Sequence, residues 1–326
     1  MGGNLGPILF QYQLYPNEIE TIGKVKKLFT TKGKFALKET EMSMEQRTWF
    51  LHVIERLNRL GFDRFVAPFS TKYGEPLAMH NGKMYYVMHW VEDKDPGILS
   101  LEERLIETAA ALHILTEKEQ DYSAKIVESS YDALIGRWKA HEKEIEKFAA
   151  AAESKIYFSQ FEFSFRSYFK EAIEAADAAK QYLSRWRACC KKERRFRVVL
   201  CHGKLSPSHF IDGQLLNLEH AVLDSPVRDL ALLLRSSIMR GVPEQEDPFD
   251  WLQTYEERFA LRKEEKFLLG AYLLFPEPVY RSIREYWDSQ PEENKHVPVL
   301  KLEHRLRGVR ELRRLAKRLL DAAEGQ

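Results

Sequence analysis

Leu200 to Phe210 reads LCHGKLSPSHF and is followed by an Asp212-Gly213 turn and then by Leu215-Leu216-Asn217-Leu218-Glu219. Behind the His202-Gly203 pair stands Lys204, and five positions later His209. An ammonium with a reference pKa of about 10.4 is protonated at neutral pH, so Lys204 can neither accept a proton nor sit beside a divalent cation without repulsion. The stretch 215–219 is expected to leave the turn as a strand. Asn217 offers it only a neutral amide, a poor ligand for a hard cation. Glu219, Asp224, Pro226, Val227 and Asp229-Leu230-Ala231 follow, the last three opening a helix.

The frame is that of a phosphoryl-transfer loop, in which His-Gly-Asp is followed by Asn. The Asp orients or deprotonates the acceptor hydroxyl, while the Asn and a downstream Asp hold magnesium on the nucleotide phosphates. Positions 204, 209 and 217 carry Lys, His and Asn instead. Two carboxylates are gone and a cation has been added, so phosphoryl transfer is expected to have been lost. Other elements stand around this loop in order: Gly33-Lys34-Phe35-Ala36-Leu37-Lys38, Leu57-Asn58-Arg59-Leu60-Gly61-Phe62, Tyr85 to Glu92, and Leu273 to Tyr280 followed by Tyr286-Trp287. On these elements, over nearly its whole length, the chain resembles the CotS-like spore-coat proteins. They form a branch of the aminoglycoside phosphotransferase and choline kinase superfamily with the protein-kinase-like fold.

The resemblance implies an α+β, two-lobed architecture. Residues 1–92 would form an N-lobe of antiparallel sheet with one helix, and residues 93–326 a larger helical C-lobe carrying the degenerate loop at 200–231. It implies a non-catalytic, pseudokinase protein of spore-coat assembly, made in the cytoplasm and joined to the coat through coat-protein partners. The alternative is a small-molecule kinase with altered metal chemistry, in which Glu219 and Asp224 are the surviving acids. Lys38 stands at the nucleotide-phosphate lysine, with Glu55 as its expected helix partner, and Met88 and Val91 line the expected adenine slot. No Gly-rich phosphate loop precedes Lys38, since Tyr15-Pro16-Asn17-Glu18-Ile19 contains no glycine. No cofactor is therefore expected beyond weak binding of ATP without magnesium. The ring of His202 is expected to hold the loop, and Asp229 to bond backbone near it. His209 and Glu219 are too few ligands for a transition metal.

Lys38, read as a relic phosphate contact, is expected to be a solvated lysine whose removal costs little. Phe10–Tyr15, Thr21–Phe29, Lys34–Glu39, Glu75–His80 and Met84–Val91 read as five strands, with turns at Thr31-Lys32-Gly33 and Asn81-Gly82. Met44–Leu60 and Leu101–Leu115 have helical periodicity, as does the run from Phe161 through Phe165, Tyr168, Ala172, Ala176, Ala179 and Leu183 to Trp186. That aromatic-rich face is read as core. The last helix carries an apolar stripe from Leu302 to Leu319, with Arg305, Arg307, Arg310, Arg313, Arg314, Lys317 and Arg318 on its other sides. The stripe is expected to dock; the basic side is a candidate contact surface.

A net charge of +1 argues against a polyanion partner such as DNA. No apolar run approaches the roughly 20 residues that span a bilayer, and MGGNLGPILF lacks the basic region and long apolar core of a signal peptide, so neither a membrane span nor export by that route is expected. Cys189, Cys190 and Cys201 have no Cys-x-x-Cys spacing and encode neither a disulfide framework nor a zinc site.

Overall fold

Asn81 and Gly82 both take positive φ, at 50° and 74°, and reverse the chain between two paired strands. Such a two-residue turn suits residues that tolerate left-handed backbone. It belongs to a computed structural model that describes residues 5–92, 100–192, 195–288 and 296–324. The chain separates into two units, one of Met1–Thr108 with His202–Val222 and the other of Ala109–Cys201 with Leu223–Gln326. This partition is drawn elsewhere than at residue 92, and it groups the 202–222 loop with the N-terminal sheet.

The first unit holds an antiparallel five-stranded sheet of β1 (Glu18–Ile22), β2 (Val25–Thr30), β3 (Gly33–Thr40), β4 (Leu77–His80) and β5 (Lys83–His89), in the order β1-β2-β3-β5-β4. Five strands were expected, but not these five. Gly23 at φ 59° splits the expected strand 21–29 into the β1–β2 hairpin, in which Ile22 pairs with Val25. The expected strand 10–15 is replaced by a short helix, α1 (Gly6–Gln11). Pro7 at its start favours helix, and Ile8, Leu9 and Tyr12 are buried on one face with Leu28, Leu37 and Val87. Alternation of apolar residues over so few positions does not separate the two conformations.

Helix α2 (Met44–Arg59) makes a second helix where one was expected. Its N-terminus is a capping box in which Ser43 and Gln46 exchange side-chain and backbone hydrogen bonds. Gly61 at φ 71° ends it, and the Phe62 N–H reaches back to the Leu57 carbonyl at 3.0 Å. A minimal hairpin, Phe210–Ile211 with Gln214–Leu215, turns at Asp212-Gly213. The strand expected over 215–219 stops almost at once. Asn217 lies in the left-handed region at φ 64°, and Leu218–His220 is a single 3-10 turn.

Helix α3 (Leu101–Thr116) leads into the second unit, where β7 (Arg195–Cys201) pairs with β6 (Lys118–Asp121) on one side and with the short strand Val222–Asp224 on the other. The helices are α4 (Ala124–Glu153), α5 (Gln160–Lys192), α6 (Val227–Arg240), α7 (Pro248–Arg258), α8 (Lys263–Leu274), α9 (Glu277–Asp288) and α10 (His296–Glu324). The aromatic face of α5 is core: Phe161, Phe165 and Tyr168 are buried with Phe148 of α4 and with Leu302 and Leu306 of α10. The apolar stripe of α10 is buried as its periodicity predicts. On its other sides Arg310 and Arg313 pair with Glu171, Arg305 with Glu285, Arg314 with Glu311, and Arg318 with Asp247. No helix among the described residues is long and apolar enough to cross a membrane.

Candidate functional site

Four side chains from three parts of the first unit meet at Lys38. β3 presents its ammonium, and β5, paired to β3 with Lys38 opposite Tyr86, brings the phenol beside it. The left-handed turn at Asn217 brings in the amide and, two residues on, Glu219. Lys38 Nζ donates to Asn217 Oδ1 at 2.6 Å and to Glu219 Oε1, and Tyr86 OH donates to the other carboxylate oxygen at 2.8 Å. The ammonium also lies 5.6 Å from the Tyr86 ring centroid. The Lys38 and Glu219 side chains are only 16% and 7% exposed, so the pair is shielded from solvent.

The electrostatics follow from that shielding. Burial pushes the Glu219 carboxyl up, but the Lys38 charge and the hydrogen bonds from Lys38 and Tyr86 outweigh it and leave the group below its ordinary range. Burial, reinforced by the Glu219 charge, pushes the Tyr86 phenol well up, so it stays a donor. Lys38 was expected to pair with Glu55; its partner is Glu219, while Glu55 is exposed on α2. Met88, expected to line an adenine slot, is buried, opposite Ala36 in the sheet and bridged to Pro68. Val91 lines a cleft of about 590 Å3 with Lys34, Val66, His89, Trp90 and Glu92.

The loop at 202–209 is held by its own imidazoles. His202 Nε2–H donates to the Leu216 carbonyl at 2.6 Å, while its Nδ1 accepts from the Lys204 N–H at 3.2 Å. The ring thus ties the loop to the residue preceding Asn217. Gly203 sits at φ 77°, and a Cβ there would lie 2.0 Å from the His220 carbonyl oxygen, so only glycine fits. On the opposite flank Trp49 Nε1 of α2 donates to the Ala221 carbonyl at 2.6 Å. His209 Nδ1–H donates to the Lys204 carbonyl at 2.8 Å, and its ring stacks on His202 with centroids 5.9 Å apart. Burial, with the charges of Lys204 and Lys38 adding to it, holds the His209 pKa below the ordinary range. His220, 3.9 Å from Glu219 Oε1, is lowered as well, by burial first, with Glu219 opposing and Lys204 and Lys38 contributing. Sequence reasoning passed over Tyr86, Trp49 and His220. Only the alignment of β3 with β5 and the sharp turn at Asn217 could have flagged them.

These residues do not fit magnesium. The ion takes one or two protein carboxylates beside waters and substrate phosphates, and here the neutral Asn217 amide and the Glu219 carboxylate both hold the Lys38 ammonium. Lys204, exposed on the loop, adds a second positive charge.

Asp229 and Asp224 belong to the second unit. Asp229 Oδ2 lies 3.3 Å from His113 Nε2, and His113 Nδ1 lies 2.7 Å from Tyr255 OH, all fully buried. Cys201 completes the group, its sulfur and the His113 and Asp229 ligand atoms within 4.8 Å of one another. Burial and then the Asp229 charge push the Cys201 thiol well up, so it stays protonated. This is a buried polar network that supports the frame. Asp224 accepts from the Ser225 N–H at 2.7 Å and from Arg228 at 2.9 Å.

Solved structures of phosphotransferases and kinases share the fold. An aminoglycoside phosphotransferase from Alicyclobacillus acidocaldarius superposes with a TM-score of 0.77 at 18% identity, covering 97% of this chain and 95% of its own. The AMP-bound spectinomycin phosphotransferase APH(9)-Ia gives 0.62 at 13%, covering 94% and 96%. A microcompartment-associated aminopropanol kinase gives 0.62 at 10%, covering 97% of each. At these identities the likeness establishes the kinase-like fold alone. Residues 7–319 match the family described as spore coat putative kinase YutH, and the chain belongs to that family.

Proposed function

We propose that this protein is a pseudokinase, a coat component that uses the kinase fold for binding and assembly rather than for phosphoryl transfer. One observation carries the reading: Asn217, at one of the two metal positions, and Glu219, a surviving acid, are bridged by the ammonium of Lys38. A tethered cation stands where a mobile one would be needed. Lys204 in place of the catalytic carboxylate supports the same conclusion, because an ammonium cannot orient an acceptor hydroxyl by accepting its proton. The acids that an altered kinase chemistry would use are both engaged, Glu219 by Lys38 and Tyr86, Asp224 by Arg228 and Ser225. The family's name points to the spore coat, and we place the protein in the cytoplasm before it joins the coat through partner proteins.

Titration calorimetry with ATP, with and without magnesium, tests this. Magnesium is expected to leave the affinity unchanged. A tightening of about tenfold, or 1.4 kcal/mol, would overturn the reading, as would magnesium-dependent ATP hydrolysis abolished by Glu219→Gln.

A further inference from the structure

The second unit contains a cavity of about 380 Å3, within the size range of small-molecule sites. Its walls are largely apolar and aromatic, with Val127 and Leu134 of α4, Trp186 of α5, Phe196 of β7 and Leu268 and Tyr272 of α8. Tyr122 extends the aromatic wall, its ring centroid 5.1 Å from that of Phe196.

The charges around it are unequally matched. Arg197, in the wall, is neutralised by Glu265, to which its Nε donates at 3.0 Å, and it also donates to the Ala260 carbonyl. Arg228 shares one nitrogen with Asp224, yet its side chain remains 48% exposed and can take a second partner. Glu264, the remaining acid of the lining, acts on Arg262. Arg137 is exposed on α4 and makes no ion pair among the described residues. Behind the wall Arg235 donates to the Tyr272 carbonyl at 2.5 Å, and its Nε is buried without a partner. Within the lining Arg137, Arg197 and Arg228 equal Asp224, Glu264 and Glu265 in number, but Glu264 acts on Arg262 outside it, and Arg137 makes no ion pair among the described residues.

We propose that this cavity binds a small aromatic molecule carrying a carboxylate or phosphate, its ring between the aromatic walls and its anion at Arg137 and Arg228. Guanidinium groups suit both anions through paired N–H donors, and the aromatic side chains offer the ring faces and edges to pack on. The site uses residues of the helical unit alone, so it stands or falls apart from the reading of Lys38 and Glu219.

Titration calorimetry of the full chain with phenyl phosphate and 3-phenylpropionate, against benzyl alcohol and inorganic phosphate, tests it. At least one aryl anion is expected to bind with a Kd of about 1 mM or tighter, and about tenfold more tightly than the neutral alcohol or the bare phosphate. Arg137→Met, which keeps the alkyl stem on an exposed helix face, should weaken that binding by about tenfold. Ala133→Trp, which fills the cavity from an exposed position of α4, should abolish it. No binding of either aryl anion, equal binding of benzyl alcohol, or an unchanged Kd in Arg137→Met would each overturn the proposal, and the Met variant decides it even where the Trp variant fails to fold.

Discussion

Truncating Lys38 leaves a carboxylate shielded from water with its paired ammonium removed, which is costly even where the intact pair contributes little net stability. Lys38→Ala is therefore expected to cost about 2 kcal/mol in a urea titration, and much less in a Glu219→Gln background. A loss under about 0.5 kcal/mol, the usual result at a surface site, would restore the expectation of a solvated relic. The same pair sets a pH dependence. Glu219 is lowered in the folded state, so its contribution is present above the unfolded value of about 4.3 and is lost as pH falls through the folded pKa. His209 is lowered too, so its contribution is lost from about 6.5 downward. Urea midpoints measured from neutral pH into acid should fall in both windows, and Glu219→Gln should make the lower one shallower. At Gly203 the backbone is left-handed and the His220 oxygen occupies the Cβ position. Gly203→Ala is expected to cost about 2 kcal/mol or more, read by the same titration.

At the scale of elements, the 202–221 segment is held from two sides, by His202 on Leu216 and by Trp49 of α2 on Ala221. Trp49→Phe keeps an aromatic ring, though a smaller one, and removes one hydrogen bond, so a loss of about 1 kcal/mol or more is expected, with thermal unfolding as the check. Helices α2, α3, α5 and α10 were legible because each repeats apolar residues at helical spacing over many turns. The short elements were not. Periodicity over six residues could not tell α1 from a strand, and a strand reading of 215–219 ignored that Asn tolerates positive φ. That single residue decides the site, because turning the chain at 217 is what brings Glu219 toward Lys38.

For the whole molecule, the triple variant Lys204→Asp, His209→Asn and Asn217→Asp would restore the carboxylates and amide of a magnesium site, and it is expected to gain magnesium-dependent ATP binding; Lys204→Asp alone is not. A triple variant as blind to ATP as the parent would move the cause from missing ligands to the Lys38–Glu219 bridge. The amino-acid sequence by itself determined the change of residue types at 204, 209 and 217, because spacing and charge along the loop are local properties, and the order of its motifs carried the resemblance that implied the kinase-like α+β fold. It also determined that the α5 aromatic face and the α10 stripe are core. Only the tertiary structure decided what Lys38 does. The expected partner Glu55 and the actual partner Glu219 are equally acidic on paper, and the outcome rests on strand pairing and on one left-handed residue, which bring together side chains 181 positions apart. The same holds for the cavity lined by α4, α5, β7 and α8, since arginines scattered along a chain become a site only when packing gathers them around one aromatic wall.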